Sequence, residues 1–188
     1  MTTEIRLSGS GGQGLILIGR ILAEALGIFK GQNVVQSSSY GGQVRGGSSR
    51  SDVLFGPPDE EIDFPEVVNA DILLAMTQEA ANEYSERVKP DGVILLDATF
   101  VKNPPKTAAR IISYPFTLET KRRLGSELPT NIVVLAVIDK VGDLGGKDAL
   151  VEAIKKRAPR GKEEINLQAL NLGYELVDSG VLQVQTNS

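Results

Sequence analysis

The chain has neither cysteine nor histidine among its 188 residues. Lack of cysteine excludes disulfides, thiol nucleophiles, thiolate zinc sites and cysteine-ligated iron–sulfur clusters from this polypeptide. Lack of histidine removes the commonest general base and metal ligand. Reactive groups for any redox or acyl chemistry are therefore expected to come from elsewhere. A basic excess is missing as well. Twenty Lys and Arg face 24 Asp and Glu, and the net charge of −4 gives no support to nucleic-acid binding through a basic face. No apolar run approaches the roughly 20 residues of a membrane span, and no basic-plus-apolar leader opens the sequence. A cytoplasmic protein with no membrane contact is the expectation.

The composition that is present, 41% hydrophobic and 23% charged, is ordinary for a soluble globular chain. The length suits one α/β domain, expected over residues 1–180, with a fraying tail at 181–188. Strand-like and helix-like segments alternate. Ile5 to Leu7 reads as a short buried strand, Leu15 to Leu26 as a deeply packed helix, and Asn33 to Gln36 as a second strand. Together they predict a right-handed βαβ unit. Gly19 within the helix allows close approach to a neighbour.

Between the first strand and that helix lies Ser8-Gly-Ser-Gly-Gly-Gln-Gly14. A strand, a glycine turn and a helix start make a rim of backbone N–H groups at the positive end of a helix dipole, which suits phosphate. A tight βα turn also needs glycine for steric reasons alone. The spacing satisfies G-x-G-x-x-G, but Gln36-Ser37 stands where a dinucleotide site places its ribose-binding acid, which argues against NAD.

Residues Ser37 to Ser51 are polar and glycine-rich, longer than the usual 2–6 residues of a βα connection, and read as a loop. The hydroxyls of Ser37, Ser38, Ser39, Ser48 and Ser49, with Arg45 and Arg50, suit phosphate or a partner's acidic surface. Intrachain salt bridges are the plain alternative for the arginines. Further strands are expected at Asp52 to Phe55, Ala70 to Met76, Val93 to Leu96 and, at an edge, Ala109 to Tyr114, with a turn at Pro90-Asp-Gly92. Thr77 reads as an N-cap; Asp97, at the carboxyl end of a strand where ligands gather, reads as the cap of a turn, with a ligand contact as the alternative. Helices are expected at Phe116 to Leu124, Lys147 to Arg157 and Glu163 to Ser179; Asn131 to Ile138 fits strand or helix by its apolar run, and Asn131 directly after Pro129-Thr130 favours the helix.

Taken in order, Gly9-Ser-Gly-Gly-Gln-Gly14, Gln36-Ser-Ser-Ser-Tyr-Gly41, Arg45-Gly-Gly-Ser-Ser-Arg-Ser-Asp52, Glu61-Ile-Asp-Phe-Pro65, Ala70-Asp-Ile-Leu-Leu-Ala-Met-Thr-Gln-Glu79 and Glu164-Ile-Asn-Leu-Gln-Ala-Leu-Asn-Leu-Gly173 resemble the gamma subunit of the 2-oxoacid:ferredoxin oxidoreductases. The likeness covers nearly the whole chain and is greatest to the 2-oxoglutarate branch, with the pyruvate and branched-chain branches close. It departs at Gly41-Gly-Gln-Val-Arg45, where relatives often carry proline and an acidic residue.

The resemblance implies a Rossmann-like α/β domain, a mostly parallel twisted sheet with helices on both faces. It implies alpha and beta subunits and a ferredoxin-like delta subunit as partners, and ferredoxin as the electron partner of the complex. Thiamine diphosphate, Mg2+ and [4Fe-4S] clusters would sit on the partners. The complex would convert a 2-oxoacid and coenzyme A to an acyl-CoA and carbon dioxide, or run in reverse, with the isolated chain inactive. This chain would supply assembly surface and part of a coenzyme A site. The residues expected there are Gly11, Gly12, Gln13 and Gly14 of the turn with Ser37, Ser38 and Ser39 at the end of the adjacent strand. A stand-alone nucleotide-binding enzyme and a purely structural assembly subunit are the alternatives. A homodimer contact through an apolar helix face is a further expectation.

Overall fold

Apolar residues alternating along the strands give one sheet two buried faces. In the computed structural model, which describes residues 2–41, 47–182 and 184–185, seven strands are ordered β2-β3-β1-β4-β5-β6-β7. They are β1 (Thr3–Ser10), β2 (Asn33–Tyr40), β3 (Ser48–Gly56), β4 (Ala70–Ala75), β5 (Val88–Asp97), β6 (Arg110–Tyr114) and β7 (Val184–Gln185). β1, β4, β5 and β6 pair in parallel. β3 runs antiparallel to both β1 and β2, and β7 antiparallel to β6. Five of the seven strands thus share one direction, as a mostly parallel α/β sheet requires.

The sheet departs from the sequence reading in four places. β2 does not lie beside β1, because β3 is inserted between them. The ends of the supposed loop at 37–51 are strands of a hairpin, with Tyr40 opposite Ser49 and Ser37 opposite Asp52. Ser51 has to be small because α1 comes very close: a Cβ on Gly19 would lie 2.1 Å from Ser51 Oγ. Pro90-Asp-Gly92 belongs to β5, where the pairing with β4 shifts register between Ala70 and Ile72. Finally, β6 is not an edge. Val184 and Gln185, expected to fray, pair with it.

The helices are α1 (Leu15–Glu24), running into a π-helical turn at Ala25–Phe29, α2 (Gln78–Tyr84), α3 (Phe116–Leu124), α4 (Thr130–Val141), α5 (Lys147–Arg157) and α6 (Glu163–Asp178). α1, α4, α5 and α6 cover the face that carries Ile5, Leu7, Ile72, Leu74, Val93 and Leu95. α2 packs on the other face, against Leu73, Ala75, Ile94 and Leu96. Helix α4 is the centre of the larger layer, buried without a break from Thr130 to Asp139. Each of its buried Val, Leu and Ile side chains contributes about 1.5–3 kcal/mol. Against it lies α6, where a Cβ on Gly173 would sit 2.2 Å from the Val133 carbonyl oxygen.

On the α2 face a charged pair takes the place of apolar contacts. Arg6 of β1 donates from Nε to Asp52 Oδ1 at 2.9 Å and from Nη2 to Oδ2 at 2.7 Å, a fork-to-carboxylate pairing. Arg6 is 2% exposed and Asp52 wholly buried. Nη2 also donates to the Val67 carbonyl at 2.7 Å, and the Val67 N–H donates to Asp52 Oδ2 at 3.1 Å. The guanidinium stacks over the Tyr84 ring, 4.7 Å from its centre.

A second buried carboxylate, Glu24 at the end of α1, is held by Lys156 Nζ at 2.6 Å and by Arg157 Nε. The hydrogen bond from Lys156, opposed by burial and aided by Arg157, keeps its pKa below the usual glutamate value.

Arg6→Met leaves Asp52 buried without its counter-ion and is expected to cost about 3–5 kcal/mol in urea unfolding, whereas Arg6→Met with Asp52→Leu recovers most of that loss. Glu24→Gln destabilises the chain at pH 7. Because the folded pKa is depressed, the Glu24 contribution is complete above the ordinary carboxylate range and is lost as pH falls through the folded value. The gap between Glu24→Gln and wild type in urea midpoint therefore closes on acidification.

Candidate functional site

The carboxyl ends of β1, β4, β5 and β6 meet along one edge of the sheet, where open α/β sheets bind ligands. β1 continues through Gly9 to Ser10, and the turn Gly11 to Gly14 delivers the chain into α1. Gly12 (φ 94°) and Gly14 (φ 74°) are left-handed, a conformation that costs other residues strain. Gly14 is also the N-cap of α1 and offers no side chain to the first-turn N–H groups.

The four turn residues divide by role. The Gly11 N–H donates to the Gly47 carbonyl at 2.8 Å, and the Gln13 N–H to the Ser10 carbonyl at 3.3 Å. Gln13 Oε1 accepts from the Ser10 N–H at 2.8 Å, and its Nε2 donates to the Met76 carbonyl at 3.3 Å. Gln13 thus ties the turn to the end of β4, and Gly9 must lack a Cβ, which would lie 2.2 Å from Gln13 Oε1. The N–H groups of Gly12 and Gly14 bond to nothing among the described residues. They stand free at the positive end of α1.

Asn131, in the first turn of α4, buttresses this turn from the far half of the chain. Its Nδ2 donates to the Gly14 carbonyl at 3.3 Å. Sequence reasoning used Asn131 only as a helix signal; the contact spans 117 positions, and no local pattern reports it. Gly12, Gln13 and Asn131 line a hollow of about 110 Å³ with Met76, Phe100 and Thr117, and the carboxylate of Glu127 stands in its wall.

Ser37, Ser38 and Ser39 lie on β2, two strands from β1 and about 10 Å across the sheet. They are therefore not on the strand adjacent to β1, as expected from the sequence. The pleat turns Ser37 and Ser39, opposite Asp52 and Arg50, to the α2 face and Ser38, opposite Ser51, to the α1 face. Their hydroxyls do not converge on one point. Arg50 stands 3.7 Å from both Asp52 and Glu66, in intrachain ion pairs. Arg45 lies outside the described residues.

Asp97 closes a turn, as expected: its carboxylate accepts from the Thr99 N–H at 3.0 Å, the Thr117 N–H at 3.2 Å and the Thr117 hydroxyl. Thr77 caps α2 by accepting from the Ala80 N–H at 3.2 Å. The strand beside β1 on the β2 side is the reversed β3, so the position of a ribose-binding acid next to the glycine turn does not exist.

Comparison with known proteins agrees with this architecture. Residues 4–176 match the family model described as pyruvate ferredoxin/flavodoxin oxidoreductase. The 2-oxoglutarate synthase subunit KorC of Methanocaldococcus jannaschii is 38% identical over 178 residues, 94% of each chain. The crystal structure of a keto/oxoacid ferredoxin oxidoreductase gamma subunit from Geobacter sulfurreducens matches with TM-score 0.84 at 37% identity, over 95% of this chain and 98% of that one. The 2-oxoglutarate:ferredoxin oxidoreductase of Magnetococcus marinus, solved with 2-oxoglutarate, coenzyme A and succinyl-CoA bound, matches with TM-score 0.82 over 95% of this chain and 31% of that one. At 20% identity that likeness is one of fold.

Gly14→Ala meets two obstacles, the positive φ and a Cβ 2.3 Å from Asn131 Nδ2. It is expected to lower stability by about 1–3 kcal/mol. Adding Asn131→Ala removes the collision but not the backbone strain, so thermal denaturation of the double variant shows a smaller loss than the two single losses summed.

Proposed function

Because the chain belongs to the pyruvate ferredoxin/flavodoxin oxidoreductase family, we propose that it serves as the gamma subunit of a 2-oxoglutarate-converting complex and seats a phosphate of coenzyme A at the α1 N-terminus. The observation that carries this reading is the pair of N–H groups on Gly12 and Gly14 that have no partner among the described residues, with Gly12 lining a hollow at the carboxyl edge of the sheet. Gly11, Gln13 and Asn131 hold that pair in place rather than bind. Two fixed backbone donors and a helix dipole retain an anion without any basic side chain. The similarity to KorC supports 2-oxoglutarate as the 2-oxoacid. The Magnetococcus enzyme, which shares the fold, holds coenzyme A and succinyl-CoA.

The donor set of this chain does not fit the other groups of such a complex. It has no cysteine for a [4Fe-4S] cluster. Among the described residues, no group of three or more acidic side chains is placed to hold Mg2+ for thiamine diphosphate. On this reading those groups lie on the alpha, beta and ferredoxin-like delta subunits, and ferredoxin takes the electrons. The chain contributes position: fixing coenzyme A by its phosphate sets its thiol near the acyl group to be transferred, which accelerates transfer through proximity. Among the described residues no helix is long and apolar enough to cross a membrane.

Gly12→Asp places a carboxylate at the proposed phosphate seat. In the reconstituted complex the apparent KM for coenzyme A is expected to rise tenfold or more, by roughly 1.4 kcal/mol or above, with assembly intact by size-exclusion chromatography. An assembled complex with unchanged KM would instead favour a purely structural subunit.

A further inference from the structure

The two edges of the sheet are unlike. β7 is two residues long, the short edge that soluble proteins commonly present. β2, at the other side, runs for eight residues, Asn33-Val-Val-Gln-Ser-Ser-Ser-Tyr40. Among the described residues no strand pairs with its outer side. It carries none of the features that keep an edge single. It has no Lys, no Pro and no charge, and its pairing with β3 is unbroken from Asn33 to Tyr40, with no bulge to turn it away. Its outward N–H and C=O groups are a template for another strand.

Exposed apolar residues flank this edge on one face. Val34, Gln36, Ser38 and Tyr40 alternate onto the α1 face, and Tyr40 is 71% exposed. The π-helical turn at Ala25–Phe29 packs on the start of the strand, where a Cβ on Gly27 would lie 3.5 Å from Val34. That turn leaves Ile28 64% and Phe29 42% exposed.

We infer that β2 pairs antiparallel with β2 of a second copy of this chain, about a two-fold axis at Ser37. In such an isologous contact residue i meets j and j meets i. With Ser37 opposite its own counterpart, Val34 stands opposite Tyr40 of the second copy, and Gln36 opposite Ser38. Each exposed Tyr40 ring then lies across from Val34, beside the turn that carries Ile28 and Phe29, and symmetry makes this contact twice. The chain holds both halves of the contact, one at each end of the same strand, which is what selects a second copy over an unrelated strand. The lack of charge matters equally, because a two-fold axis sets like residues against each other and a charged strand would repel itself. The axis is perpendicular to the sheet, so two seven-stranded sheets become one. β2 runs in the same direction as β1. The glycine turns of the two copies therefore lie at opposite ends of the joined sheet, and neither covers the other.

The chain has no cysteine, so one introduced thiol reports the axis without interference. Opposed Cα atoms of an antiparallel pair are about 4.5–5.5 Å apart, within reach of a disulfide. Full-length Ser37→Cys, oxidised in air, is therefore expected to run as a covalent dimer on a non-reducing gel. In Ser39→Cys the two thiols are offset by roughly 13 Å along the strands and are expected to stay unlinked. The wild-type chain should sediment as a dimer. The double variant Ile28→Lys with Tyr40→Lys alters only exposed side chains and should sediment at half that mass with an unchanged far-UV circular dichroism spectrum. A wild-type chain that stays monomeric up to its solubility limit overturns the proposal. So does a dimer that survives the double variant, which puts the contact elsewhere, or equal cross-linking of Ser37→Cys and Ser39→Cys, which contradicts the register. Cross-linking of Ser37→Cys to a different subunit in the assembled complex, and never to itself, replaces the second copy by a strand of that subunit.

Discussion

The buried pair of Arg6 and Asp52 decides where β3 lies, and much else follows from that strand. A guanidinium and a carboxylate removed from water tolerate little change in position, because either alone would be a buried, uncompensated charge. Their fork-to-carboxylate contact fixes the register of β1 on β3. The same two groups bind both backbone polar atoms of Val67, so the segment leading to β4 is held as well. With β3 seated between β1 and β2, the hairpin reaches the glycine turn at its far end, where the Gly47 carbonyl takes the Gly11 N–H.

Short-range patterns in the sequence were read well. The bounds of α5 and the helical character of α6 follow from apolar spacing and from the stop at Ala158-Pro-Arg-Gly161, whereas that of α4 follows from Asn131 standing directly after Pro129-Thr130. The caps at Thr77 and Asp97 follow from residue type at a strand end. What was missed depends on contacts far apart in the chain. Periodicity reports which residues share a face but not which strands are neighbours, so no local pattern seats β3 between β1 and β2 or separates Ser37 to Ser39 from β1. The polar stretch from Ser48 to Ser51 resembles a loop because what keeps Ser51 small is the distant approach of α1 at Gly19. Likewise, the glycine turn announced itself, yet its division into two free and two occupied N–H groups depends on Gln13, Ser10 and Gly47.

The donors that the site offers are the backbone N–H groups of the glycine turn, held by the neutral amides of Gln13 and Asn131. This accords with a chain that has no cysteine or histidine to offer. Among the described residues, the buried carboxylates Asp52 and Glu24 are occupied by ion pairs that hold elements together. Structural and ligand-facing duties are thus separated. Ion pairs bind the layers, and the carboxyl edge of the sheet keeps uncommitted donors.

The contact at Gly173 has a bearing on that edge. With hardly room for a hydrogen between α6 and the Val133 carbonyl, the two helices cannot slide past each other without a backbone collision. Asn131, which holds the Gly14 carbonyl, stands on α4 within a turn of that contact. The glycine turn and the helix pair therefore behave as parts of one rigid body, already placed before anything arrives. Association with such a preorganised surface forfeits little conformational entropy, and more of the contact energy appears as affinity.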